Sequence, residues 1–215
     1  MKKQKGNRNK RPRAAKDARR NAVLASRKKE KPPTSHSLIQ RSRTAARTFG
    51  VSYCLATESI FDVGIGHVIL GRTTSPFKVA FSVFLVDVYC LGVKNGFYGE
   101  RTHDEFKEMI NKVAGDEYPF VEISPECARK LVEGAVAYAE NLGFSPHADY
   151  PPAAALFGDI NAEACPIEYE FGKDGKPFFI SGPNDTPAMI RRTVRTLTEK
   201  VGEGNFEFMM AADEL

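Results

Sequence analysis

No stretch of the 215-residue chain holds the roughly 18–20 consecutive apolar residues that cross a bilayer, so no membrane span is expected. The first residues contain no apolar core either, and no secretory signal is expected. There is no Cys-x-x-Cys, no His-Glu-x-x-His and no comparable ligand spacing, so neither a metal nor any other cofactor is expected. Walker and Gly-x-Ser-x-Gly motifs are absent too, and with them the common phosphate cradle and nucleophile elbow. Gly64-Ile65-Gly66 precedes a strand-like run rather than a helix, the wrong setting for a dinucleotide loop. The four cysteines (Cys54, Cys90, Cys127 and Cys165) lie far apart and mostly in apolar company. They read as free, buried thiols in a reducing compartment, the cytoplasm, not as a disulfide framework.

What is present is a sharp division of charge. Residues 1–50 hold seventeen Lys and Arg against Asp17 and Glu30, a net +15. The rest holds 14 basic and 25 acidic side chains, a net −11. The reading is a basic disordered arm and linker over 1–48 and a single acidic α+β domain over 49–215. Up to Pro33 the arm has only Val23 and Leu24 as large apolar residues. It buries too little surface to offset a backbone ordering cost of roughly 1–2 kcal/mol per residue. Arg13 to Lys29 is rich in Ala, Arg and Lys and has the propensity to become helical once its charge is neutralised.

So dense a block of one sign seeks a polyanion, and the partner expected is nucleic acid or a ribonucleoprotein. The contacting residues would be Lys2, Lys3, Lys5, Arg8, Lys10, Arg11, Arg13, Lys16, Arg19, Arg20, Arg27, Lys28 and Lys29. No aromatic residue precedes Phe49, so contact would run through phosphates, without base stacking. An anionic membrane is disfavoured because no apolar face accompanies the charge. The alternative is a tail that folds back on the acidic body of its own or another copy.

In the body, Val51–Thr57, His67–Arg72 and the apolar run Lys78–Val93 read as a three-stranded antiparallel meander. Thr102 and Glu105 form a capping box ahead of a helix that Gly115 closes, and Ser124-Pro125-Glu126 opens a second helix that stops at Gly143. A short helix is expected over Pro152–Phe157. Ile167, Tyr169 and Phe171 alternate with glutamates, and Lys173-Asp174-Gly175-Lys176 is a hairpin turn leading to Phe178–Ile180. A last helix follows Gly182–Asp185, with Asp185 as its expected N-cap and Ile190, Val194, Leu197 and Val201 as its buried stripe. Phe206–Met210 reads as a final short strand.

The blocks Gly-Ile-Gly-His-Val-Ile-Leu-Gly-Arg (64–72), Phe-Leu-Val-Asp-Val-Tyr-Cys-Leu-Gly-Val-Lys-Asn (84–95) and Ile-Ser-Pro-Glu-Cys-Ala-Arg-Lys-Leu-Val-Glu-Gly-Ala (123–135) resemble a bacterial protein family to which no activity is attached. Residues 171–178 and 181–185 fit the same pattern. The likeness covers about residues 50–210 and implies a bacterial, cytoplasmic protein and no particular reaction.

Asp87 is the foremost candidate for chemistry, because an ionised carboxylate inside an apolar run is costly unless paired. Lys94 is its nearest partner in sequence. As a general base or metal ligand Asp87 would centre a metal-dependent nuclease or other hydrolase. Such a site needs further carboxylates, from among Glu58, Asp62, Glu100, Asp149 and Asp159. Otherwise Asp87 bonds backbone amides. His67, His147 and Asp149 are weaker candidates, read equally as hydrogen-bonded loop residues. Arg191, Arg192 and Arg195 lie off the apolar stripe of the last helix and would extend the arm's footprint or be a solvated face. The leading expectation is a non-catalytic nucleic-acid or ribonucleoprotein-associated protein. The others are the hydrolase, and a protein-interaction module with an acidic binding surface.

Overall fold

The computed structural model describes residues 33–114 and 119–210. The arm residues before Pro33 and the helix-closing Gly115 lie outside them.

Alternation of apolar side chains builds the sheet. β1 (Tyr53–Thr57), β2 (Ile65–Ser75), β3 (Lys78–Asp87), β4 (Gly92–Thr102) and β5 (Phe120–Glu122) form one antiparallel sheet in the order β4-β3-β2-β1-β5. Val68 stands opposite Phe84 and Leu70 opposite Ser82, and this set faces the larger core. Ile69, Val79 and Phe81 face the other side. Period two is what lets one strand serve two cores.

The apolar run 78–93 divides in two, where one continuous strand was expected. The reason is Asp87. Its Oδ1 accepts the amides of Tyr89 (3.0 Å) and Cys90 (2.8 Å), and Gly92 at φ 65° brings the chain back as β4. A carboxylate bonding amides two and three residues on is a turn former. A Cβ on Gly92 would also meet the Ala135 carbonyl oxygen at 2.7 Å.

The first helix, α1 (Ser35–Thr48), was expected as linker and arm. It is folded because Ser42, Ala45 and Ala46 make a small-residue face that lets it approach closely, with Ala45 in the main core. The chain therefore divides between Thr34 and Ser35 rather than at 48. Arg72, buried in β2, secures this end by donating to the carbonyls of Phe49, Leu156 and Phe157.

A one-turn helix, α2 (Ile60–Val63), links β1 to β2. α3 (His103–Ala114) starts at the capping box: Glu105 N donates to Thr102 Oγ1, and Thr102 N to Glu105 Oε2. Its Phe106 packs on Phe81 and Tyr53, covering one face of the sheet. α4 (Pro125–Asn141), capped by Ser124, covers the other with Leu131, Val132 and Ala135, aided by α5 (Tyr150–Ala154). Each large apolar side chain so buried contributes roughly 1.5–3 kcal/mol.

Asp174 (φ 51°) and Gly175 (φ 76°) make the expected turn, held by the Lys173–Lys176 bridge. Residues 166–171 form no strand, and Tyr169 and Phe171 pack on the core while Ile167 is exposed. β6 (Phe178–Ile180) pairs in parallel with β7 (Glu207–Met209), the expected final strand. Between them α6 (Pro187–Val201) buries Leu197 against Phe179, Cys90 and Leu142. Its N-cap is Thr186, whose hydroxyl accepts from Met189 N, and not Asp185.

Candidate nucleic-acid interface and the Lys94 cavity

α1 carries Arg43 and Arg47 one turn apart, both exposed and flanking the buried Ala46. With Arg129, Glu133 and Asp159 they line a groove of about 590 Å³. Arg129 is committed to the fold: it donates to Glu133 Oε1 at 2.8 Å and to the carbonyls of Gly158 and Ile160. Arg43 and Arg47 are exposed and have no side-chain partner among the described residues. Arg41, on the same helix, pairs with Glu100 at 3.0 Å. These arginines were legible only as part of the basic block. Their i, i+4 spacing was the signal for one face of a helix.

The arginines of α6 are exposed and do not act as one patch. Arg195 lies 3.9 Å from Glu199, while Arg192 lines a separate cavity.

That cavity, of about 420 Å³, lies among β4, the turn after α4 and α6. Its floor is Lys94, placed there by an irregularity in the ladder. Leu85 pairs with Asn95 but Val86 pairs with Val93, so Lys94 is the extra residue of a β-bulge. A bulge breaks the alternation and redirects the side chain it carries. Lys94 Nζ stands 3.9 Å from Asp185 Oδ2, and Asp185 Oδ2 also accepts from Gly182 N at 2.8 Å.

Lys94 lines a second cavity as well, of about 250 Å³, with Asp87, Tyr89, Ile180 and Ser181. Burial pushes the Asp87 carboxyl up to about 6, against the opposing pull of the turn amides and of Lys94. The pairing of Asp87 with Lys94 read from the sequence is thus a through-space attraction, and the hydrogen bonds go to backbone.

His67 and His147 are not brought to Asp87. His67 lines a third cavity with Thr57, Leu85 and Val113, and burial lowers its imidazole below the usual range. His147 lines the first cavity, and its Nδ1 accepts from Asp149 N at 3.2 Å, 3.8 Å from the Asp149 carboxylate. Among the described residues no three His, Cys, Asp or Glu side chains gather closely enough to hold a metal ion. The carboxylates considered as partners for Asp87 do not converge on it.

The cysteine reading requires correction. Cys127 and Cys165 form a disulfide across 38 residues, while Cys54 and Cys90 are free and buried. The bridge joins the first turn of α4 to a 3₁₀ turn (Ala162–Ala164), a proximity that linear spacing does not reveal. Burial raises the free thiols, Cys54 to about 12 and Cys90 higher still, so neither is an activated nucleophile.

Comparison with family models, with curated proteins and with solved structures finds no match to this chain. No helix among the described residues is long and apolar enough to cross a membrane.

Proposed function

We propose that the protein binds nucleic acid, alone or within a ribonucleoprotein, through its basic N-terminal segment, with α1 extending the contact. The observation that carries this reading is the charge division. Residues 1–34 hold fourteen Lys and Arg against two acids, while 35–215 are net −8. α1 supports it, since Arg43 and Arg47 continue the basic sequence onto the folded body with their guanidinium groups free. A polymer of phosphates matches a row of exposed cations, because each neutralised phosphate releases a counterion. Binding of this kind is strong in low salt and indifferent to sequence.

The hydrolase reading has less support. Asp87 is held by the amides of its own turn, as a structural carboxylate is. For location we propose the cytoplasm, where nucleic acid is the commonest polyanion. The Cys127–Cys165 bridge weighs against it, because disulfides are rare in reducing compartments.

The test is fluorescence anisotropy with a labelled 20-nucleotide single strand and a 20-base-pair duplex. The full chain is compared with residues 35–215, both checked by circular dichroism. The full chain should bind both probes and lose at least about 10³-fold in affinity between 50 and 200 mM salt. Residues 35–215 should bind at least about a hundredfold more weakly at 50 mM. Equal binding by the two would overturn the proposal.

A further inference from the structure

We propose that the 420 Å³ cavity floored by Lys94 binds a small organic anion, a carboxylate or phosphate ester with an apolar body, whose charge sits between Lys94 and Arg192. This site is separate from the polyanion contact and does not depend on it.

Four observations meet here. The first is the bulge, which sets Lys94 into the cavity; its side chain is only 21% exposed. A sunken ammonium is costly without a close anion. The second is that neither carboxylate near it closes a hydrogen bond, since Asp87 attracts it only through space. Asp185 is 3.9 Å away, well beyond the 2.7–2.9 Å of a charge-assisted hydrogen bond, and that same oxygen is already bonded to Gly182 N. The third is Arg192, which lines the cavity and whose guanidinium has no partner among the described residues. With Asp185 counted, the cavity lining carries one net positive charge from Lys94 and Arg192. It does so on a body that is otherwise acidic. The fourth is the wall, where the apolar side chains of Leu91, Val93, Phe144, Phe179 and Met189 share the lining about equally with polar groups, Ser145, Thr193 and Thr196 among them.

These features select the ligand class. A recessed ammonium favours a single compact anionic group over a polymer backbone. Apolar walls favour an organic body over inorganic phosphate. A cavity of this volume lies within the range that holds a small metabolite, roughly 300–1,000 Å³.

The experiment is isothermal titration of the full chain with phenyl phosphate, benzoate, benzamide and inorganic phosphate. Phenyl phosphate or benzoate should bind at submillimolar concentration, and the tighter of the two identifies the head group. Benzamide, the neutral counterpart of benzoate, and inorganic phosphate should each bind at least tenfold more weakly than the preferred probe. Arg192→Gln, on an exposed helix face, should weaken binding by about tenfold. Lys94→Met should weaken it further, and Lys94→Arg should retain it. Should Lys94→Met fail to fold, Arg192→Gln decides. Benzamide binding as well as benzoate, inorganic phosphate binding as well as phenyl phosphate, or an unchanged affinity in Arg192→Gln would each overturn the proposal. The last outcome would place the anion on the N-terminal basic segment, which that variant leaves intact.

Discussion

Two recesses on this acidic body carry cations, and they are built differently. The groove beside α1 is lined largely by small residues, with Arg43 and Arg47 exposed and Arg129 bound to carbonyls. The Lys94 cavity is walled by aromatic and aliphatic side chains, and its central cation is mostly buried beside a distant carboxylate. Charge alone does not separate the two. Solvation does: an exposed guanidinium gains little from one anion but adds with its neighbours along a polymer, whereas a desolvated ammonium gains much from one well-placed anion.

The widest test of that distinction is the disulfide. Cys165 ends the segment whose Gly158 and Ile160 carbonyls hold Arg129, so the bridge secures the groove and not the cavity. Closing a loop of 38 residues is worth about 4 kcal/mol. Cys127→Ser should lower stability by that order in chemical denaturation and weaken nucleic-acid binding modestly. It should leave phenyl phosphate affinity at 15 °C unchanged. Loss of both affinities together would mean that the recesses are one unit.

A sharper cut replaces the free arginines. Arg43→Gln with Arg47→Gln should weaken binding of the labelled strand by about tenfold at 50 mM salt and reduce the slope of log affinity against log salt by about 2. Phenyl phosphate titrations should not change. If the strand binds equally, α1 is no part of the interface.

The smallest effect concerns pH on the cavity side. The Asp87 carboxyl is raised to about 6 in the fold, against about 3.9 in an unfolded chain. The native state therefore holds a proton that the unfolded state has lost. Asp87 favours folding below pH about 4, loses that contribution as pH rises to about 6, and is a constant cost above it. Asp87→Asn keeps an oxygen for the Tyr89 and Cys90 amides and removes the charge. It should stabilise the protein at pH 7.5 and flatten the pH 4–6 slope relative to the native chain, as read by urea denaturation across that range. A steeper slope in the variant would refute this account.

Local signals were legible where a few adjacent residues decide the outcome. The Thr102–Glu105 box, the Ser124 cap, the Asp174-Gly175 turn and the stripe Ile190–Leu197 all lie where side-chain pattern and turn chemistry put them. The strands β1 to β3 were legible as apolar runs separated by turn residues. Less visible was α1, because its basic composition masks a buried face of three small residues. Asp87 was recognised as unusual, but its role as a turn former depends on where the strand ends, and the apolar run conceals that.

The sequence by itself determined the +15 and −11 halves, the starts of α3 and α4, and the mixed α+β character, since charge and short-range periodicity belong to the chain whatever its path. Tertiary structure alone decided that Cys127 meets Cys165, that β6 pairs with β7, and that Lys94, at a bulge, lines one cavity with Arg192 from nearly a hundred residues away. Each of these rests on segments whose meeting depends on closing long loops, and no local pattern encodes which loops will close.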